Sequence, residues 1–261
     1  MAALLSLYQN QFLIFVLILT RISGLVMTAP VLGLRTAPMQ VRAILAVALA
    51  ILVTPFHWQT LANTPASTLE LAWMLSHEIL LGLSLGLCVH ILFTGLQFTG
   101  QIMGQLSGMS LADVFDPAHD GSVPILSELM DRVTLAVFVI IGGHRELMQV
   151  LLDTFRWMPP GNTAFGPSLV DALTQVTSNS LALGVRAAAP AMVSLLLANL
   201  LLGLINRTMP QLNIIAVGFG LNVMILMVVT AASLSAIAWL FQDAAWETID
   251  TMRDAFETLA P

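Results

Sequence analysis

The sequence predicts an all-α, polytopic integral membrane protein of about six hydrophobic helices arranged as hairpins. Three observations carry this expectation. Of the 261 residues, 57% are apolar and only 9% charged, against about 25% charged in an ordinary soluble chain. Apolar runs recur near the length of roughly 20 residues that a helix needs to cross the hydrocarbon core. The runs are also continuous, as in Leu195-Leu196-Leu197 and Val223 to Val229, whereas strands of a membrane barrel would alternate in segments of about ten. The same composition, with nine Arg and no Lys, argues against a soluble enzyme, a disordered tail or a nucleic-acid binder. A single cysteine, Cys88, excludes an internal disulfide framework.

Six spans follow in order. The first, Phe12 to Leu34, holds Arg21 and bends or ends near Pro30. The second, Ala43 to Pro55, is short unless its flanks join it. The third, Leu69 to Gln97, carries His77, Glu78 and His90. The fourth runs from Val133 to about Phe155 and is broken at Gly142-Gly143. The fifth, Leu181 to Ile205, has Pro190 in its interior, and the sixth, Ile214 to Phe241, has no charged residue. No cleavable leader is expected, so the first span is expected to direct insertion. Loop arginines are nearly balanced between the two sides, with Arg35 and Arg42 mildly favouring a cytoplasmic first connector.

Glycines punctuate the middle of the chain. Gly100, Gly104 and Gly108 recur every fourth residue, as do Gly82 and Gly86, so each set lies along one helix face. Such faces admit a neighbouring backbone closely, either within this chain or in another subunit. Beyond Gly108 the chain turns polar and acidic, with Asp113, Asp116, Pro117, His119, Asp120, Gly121 and Pro124. This stretch predicts a loop, either a gate between glycine-faced helices or a plain connector. Glu128 and Arg132 then resume a helix as an i,i+4 pair.

Catalytic patterns fail one by one. Asp113-Val-Phe-Asp116 lacks the second acidic cluster that magnesium chemistry would need. His77-Glu78 lacks the second His of a zinc-protease helix. Gly82-Leu-Ser84-Leu lacks the second glycine of a nucleophile elbow. No enzyme, cofactor or metal is expected. The intramembrane charges are more telling. An Arg at a helix centre costs about 2.5–3.5 kcal/mol on insertion scales, so Arg21 should face protein or water, and Glu78 is its natural partner in another span. Asn199 and Asn206, two turns apart, and the turn of Arg207, Pro210, Gln211 and Asn213 read as polar adhesive within a hairpin or between subunits.

Several stretches together resemble the FliR family, the flagellar biosynthetic proteins of the type III export gate, along almost the whole chain. They are Arg21-Ile-Ser-Gly-Leu-Val-Met-Thr-Ala-Pro30, Pro38 to Arg42, Glu78-Ile-Leu-Leu-Gly82 and Gly100-Gln-Ile-Met-Gly104. Gly108-Met109-Ser110-Leu111-Ala-Asp113-Val114-Phe115-Asp116-Pro117, Gly143-His144 and Asn206-Arg-Thr-Met-Pro-Gln-Leu-Asn213 complete the set. The resemblance implies a channel subunit that assembles with FliP and FliQ, is joined by FlhB, and passes unfolded flagellar proteins across the bacterial inner membrane in the flagellar basal body. It implies a FliP-like part over 1–180, a FliQ-like hairpin over 181–242, and a pore-closing plug at about 108–124. Glycine faces then become expected subunit contacts, and hydrophobic segments need not each cross the bilayer. The acidic segment 243–261, with Trp246, Ile249, Met252 and Phe256 at helical spacing, is expected to dock on a partner or lie at the membrane surface, and its few Arg favour a protein partner. Two alternatives stand beside this reading: the homologous injectisome subunit, and a small-solute secondary transporter using Arg21, Glu78 and His90.

Overall fold

The computed structural model describes residues 2–30, 38–58, 65, 67–109, 125–162, 166–209 and 214–259, with the backbone path alone for 2–9 and 214–217. Seven α-helices are described: α1 Ala2–Thr28, α2 Met39–Val53, α3 Thr68–Ser107, α4 Ile125–Ile140, α5 Gly143–Trp157, α6 Pro167–Thr208 and α7 Ile214–Glu257. A short 3-10 turn, Thr54–His57, extends α2. No strand occurs among the described residues. Among the described residues, five segments are long and apolar enough to cross a membrane: Asn10–Thr28, Met39–His57, Thr68–Ser107, Pro167–Thr208 and Gly218–Glu257. The protein is an all-α polytopic membrane protein.

Local chemistry explains the boundaries. The last helical bond of α1 runs from the Ala29 amide to the Leu25 carbonyl, and Pro30 has no amide with which to continue. The fourth expected span divides into α4 and α5. Gly142 adopts a left-handed φ of 78°, its amide bonds the Val139 carbonyl, and its carbonyl accepts from the Arg145 and Glu146 amides. One residue thus ends one helix and starts the next, in a conformation that costs glycine nothing. The resulting helices, 16 and 15 residues long, reach only about 22–24 Å, short of a hydrocarbon core of about 30 Å. Pro190, by contrast, lies within an unbroken α6.

The chain forms two compact units, each assembled from separate stretches of sequence. The first comprises Met1–Ile91, Val139–Thr177 and Ala245–Pro261; the second comprises Leu92–Phe138 and Ser178–Ala244. In the first unit, Ile14, Leu17, Ile18, Ile22 and Leu25 form a buried stripe on α1 at helical spacing. The approach of α3 to α1 is set by glycine. A methyl group at Gly24 would lie 2.8 Å from the Ile79 carbonyl oxygen, and one at Gly82 would overlap the Arg21 carbonyl. At Gly86 it would strike the Thr28 hydroxyl. The two backbones therefore touch across a surface that any side chain would force apart.

The second unit repeats this device. A methyl group at Gly95 would meet the Ser180 carbonyl, and one at Gly184 the Gly95 carbonyl. Thr99 Oγ1 donates to the Gly184 carbonyl at 2.9 Å. At Gly100 a methyl group would sit 2.5 Å from the Ser127 amide nitrogen. Phe93 packs edge-on against Phe138 and Phe241, at centroid separations of 5.4 and 5.8 Å, a geometry worth about 0.5–1.5 kcal/mol per pair beyond area burial. Lipid tails are as apolar as leucine, so close packing rather than water exclusion joins helices here. The faces of Gly82, Gly86 and Gly100 are filled by this chain's own helices, which corrects the expectation that they meet other subunits.

Backbone cannot yield as a flexible side chain does, so Gly82→Ala is expected to destabilise the chain by about 1–3 kcal/mol. Gly203→Ala, where an added methyl meets nothing within 4 Å, is expected to be neutral or stabilising. Thermal unfolding of the two purified variants in one detergent checks the contrast.

Candidate functional site

A dense buried polar cluster lies in the first unit. Arg21 occupies the buried stripe of α1, one helical turn before Gly24, and Glu78 precedes Gly82 by one turn on α3. The close approach at these glycines brings the two side chains together. Arg21 Nε donates to Glu78 Oε2 at 2.6 Å, and neither side chain is more than 1% exposed. The rest of the guanidinium is also occupied. Nη1 donates to Thr154 Oγ1 at 3.2 Å, Nη2 donates to the Met158 carbonyl at 3.0 Å, and the Phe155 ring centroid lies 4.3 Å from Cζ. The second carboxylate oxygen, Glu78 Oε1, accepts the Gly161 amide at 2.9 Å.

This arrangement solves a backbone problem. Residues 158–162 after α5 are not helical, and irregular backbone inside a membrane protein persists only where protein groups satisfy it. Arg21 and Glu78 supply one donor and one acceptor to that segment while neutralising each other. Cation–π attraction to Phe155, worth about 2 kcal/mol when desolvated, adds to the clasp. With Arg21 Nε, Nη1 and Nη2 and both Glu78 carboxylate oxygens engaged by protein groups, the cluster is suited to holding structure. His90, the third member of the transporter alternative, lies twelve residues beyond Glu78 on α3, about 18 Å along the axis. Among the described residues, no three His, Cys, Asp or Glu side chains gather as a metal site would require.

A second polar group ties the C-terminal segment to α5. Arg253 Nη2 lies 3.0 Å from Glu146 Oε1 and 3.9 Å from Asp153 Oδ2. Ile249, Met252 and Phe256 are buried and Trp246 is half-buried. The segment from Asp243 continues α7 without a break to Glu257 and packs within this chain, which corrects the expectation that its apolar face serves a partner.

The remaining sequence-derived residues separate. Gly104 is buried, and its carbonyl accepts the Met109 amide while the Gly108 amide bonds the Gln105 carbonyl. With Gly108 at φ 81°, these two bonds form a Schellman cap, so Gly108 ends α3 instead of extending its glycine face. Ser110, Leu111, Asp113, Val114, Phe115, Asp116 and Pro117 lie outside the described residues, as do Pro210, Gln211 and Asn213. Asn199 Oδ1 accepts from Asn222 Nδ2 at 2.9 Å, joining α6 to α7. Asn206 and Arg207 are exposed on the last turns of α6. Arg132 and Glu128 form an exposed pair at 3.0 Å, of the kind worth only about 0.3–0.5 kcal/mol.

Sequence reasoning missed Thr154, Phe155, the Met158 carbonyl and the Gly161 amide, because they join the clasp through distant backbone that no local spacing encodes. It also missed Asn222 and Arg186, each a lone polar residue in an apolar run and so detectable by that contrast. Arg186 is exposed on α6.

Residues 12–248 match the family model described as bacterial export proteins, family 1. The chain is 34% identical to the flagellar biosynthetic protein FliR of Escherichia coli K12 over 84% of both chains. It is 26% identical to FliR of Caulobacter vibrioides over 93% of this chain and 98% of the relative. It is also 24% identical to the secretion system apparatus protein SsaT of Salmonella typhimurium, over 56% of this chain and 57% of the relative.

Removing one partner of a buried pair strands the other. Arg21→Met or Glu78→Met alone is expected to cost about 3–5 kcal/mol. The Arg21→Met/Glu78→Met double variant is expected to lose less than the sum, but not to match wild type, since the Met158 carbonyl and Gly161 amide lose their partners. Unfolding of all four proteins in detergent measures this coupling, and strictly additive losses would refute the clasp.

Proposed function

This chain belongs to the bacterial export proteins, family 1, and is of the FliR type; from that premise we propose that it is a channel subunit of the flagellar type III protein export gate. It assembles with FliP and FliQ, is joined by FlhB, and passes unfolded flagellar proteins across the bacterial inner membrane within the basal body. The observation that carries this reading is the family match over residues 12–248, nearly the whole chain. In this reading residues 1–180 are FliP-like, 181–242 are a FliQ-like hairpin and 243–261 form the C-terminal segment. The two boundaries fall inside α6 and α7, so unbroken helix joins the parts.

Three physical features support a role in assembly. Helices α3, α6 and α7 have 40, 42 and 44 residues, about 60–66 Å each, twice the hydrocarbon thickness. Only 28% and 17% of the apolar stretches of α6 and α7 are buried, against 61% in α3. Arg186 stands exposed among the apolar residues of α6, a costly placement against lipid alone and an economical one against a subunit. No Gly-Lys-Ser/Thr phosphate loop occurs in the sequence, so the energy for export comes from elsewhere. The gate acts sterically, with the loop at about 108–124 as the plug.

The transporter alternative is disfavoured by the separation of His90 from the Arg21–Glu78 cluster. The injectisome reading rests on a match that covers a smaller share of the chain than the flagellar ones.

Deleting the gene is expected to abolish filaments and swimming while solute uptake persists; intact filaments would refute the export role. Shortening the loop between Asp113 and Ser122 is expected to raise membrane conductance to ions and small molecules, measured by dye or ion influx. Unchanged influx would remove the plug assignment.

A further inference from the structure

The outward side of α6, in the second unit, carries a charge that the chain itself leaves unanswered. Gly184 faces α3, where an added methyl group would meet the Gly95 carbonyl, and Leu183, Ala187, Ala188 and Ala191 are buried. Arg186 follows Gly184 by two residues, about 200° around the helix, so it projects away from α3 and is exposed. Among the described residues its guanidinium has no ion-pair or hydrogen-bond partner. Its flanks are apolar in both directions: Leu181 and Val185 before it, and Val193, Leu196 and Leu197 after it, are all exposed.

A second polar group of the same residue is also left over. Pro190, four residues on and inside the unbroken helix, has no amide to give to the Arg186 carbonyl. The next hydroxyl along α6, Ser194 Oγ, donates to the Pro190 carbonyl at 2.8 Å and is therefore committed elsewhere. The two groups diverge along the axis, because a helical side chain leans toward the N-terminus while its carbonyl points toward the C-terminus. Each costs free energy when it meets hydrocarbon. Together they describe their complement: an anion for the guanidinium and, on the side of the apolar run 187–205, a hydrogen-bond donor for the carbonyl.

Charge and geometry select among occupants. A phospholipid phosphate answers the guanidinium but brings no donor to a carbonyl that points into the long apolar run. Water answers both polar groups but not the branched apolar side chains that flank them. A second copy inserted with the same topology would set Arg186 level with Arg186 across a parallel pair of α6 helices, and like charges repel. Glu78, the acid embedded in an apolar span of this chain, has both oxygens engaged. A membrane helix of a different polypeptide meets every condition when it carries a carboxylate at this depth and a hydroxyl or amide side chain one turn away, since residues three or four apart share a helix face. We infer that α6 docks against such an acidic membrane helix of another subunit, with Arg186 paired to its carboxylate. The inference rests on the export-gate reading and names the chemistry of one neighbour in that assembly.

The test uses the assembled complex, purified through a tag on this chain from cells that make all the export-gate subunits. A photo-crosslinking amino acid at Ala189, exposed one turn beyond Arg186, is expected to join a peptide from an apolar run of another polypeptide that holds an Asp or Glu, identified by mass spectrometry. Arg186→Glu is expected to lower recovery of that subunit with the chain about tenfold or more, the scale of stranding one partner of a buried charge pair, and Arg186→Lys to keep part of it. Combining Arg186→Glu with an Arg in place of the crosslinked acid is expected to restore recovery. Arg186→Gln is expected to leave thermal unfolding of the purified chain in detergent unchanged, because the residue has no partner within its own chain; a lowered midpoint overturns the proposal. So do adducts confined to lipid or to this same chain, rapid modification of Arg186→Cys by a water-soluble thiol reagent in the assembled complex, or full subunit recovery with Arg186→Glu. None of these outcomes touches the need for the gene in filament formation, so the export role is decided separately by the deletion.

Discussion

A guanidinium and a carboxylate withdrawn from water together must find every remaining hydrogen-bond partner inside the protein, or the pair costs more than it contributes. Arg21 and Glu78 meet that condition, and the first unit is organised around how they do so. Their direct contact requires α1 and α3 to approach at backbone distance, which Gly24 and Gly82 permit. Their outer atoms then reach Thr154, the Met158 carbonyl and the Gly161 amide, which draws the end of α5 against the α1–α3 pair. The C-terminal turns of α7 follow, because α5 also carries the Glu146 and Asp153 carboxylates that hold Arg253. Glycine contact, ion pair, irregular loop and terminal helix form one connected set of contacts in the first unit.

The same physics explains why the apolar surface is so unevenly used. Most of the apolar stretch of α3 is buried, whereas most of that of α6 and α7 is left outward. Helices twice as long as the hydrocarbon core is thick cannot be justified by spanning alone. A subunit of a larger export assembly has use for such faces, since neighbours take over the work that a monomeric membrane protein would assign to lipid.

Much of this was legible in the primary structure, for identifiable reasons. Composition and run length depend only on solvent transfer, so the membrane class and the apolar helices follow directly. The rarity of charge inside apolar runs singled out Arg21 and Glu78, and the cost of an isolated charge in hydrocarbon implied that they would seek each other. Small residues at four-residue spacing marked Gly82, Gly86 and Gly100 as close-packing positions, and Gly142-Gly143 marked a break.

What remained undecided was always a matter of partners. Periodicity describes one face of one helix and is silent on what lies opposite. The glycine faces were expected to meet other subunits, and the apolar side of the C-terminal segment a protein partner, yet both are filled from this chain. Gly108 shares the spacing of Gly100 and Gly104 but caps its helix, because a left-handed residue at a helix end looks identical in sequence to a packing glycine. The break marked at Gly142-Gly143 proves to be a full division into two helices, made by the positive φ of Gly142. Transfer free energies, which are sums over residues, thus determine class, helix content and the candidate ion pair from sequence. Tertiary structure alone decides which backbone atoms complete that pair and which apolar faces are spent inside the chain, because those depend on groups brought together from 80 to 140 residues apart.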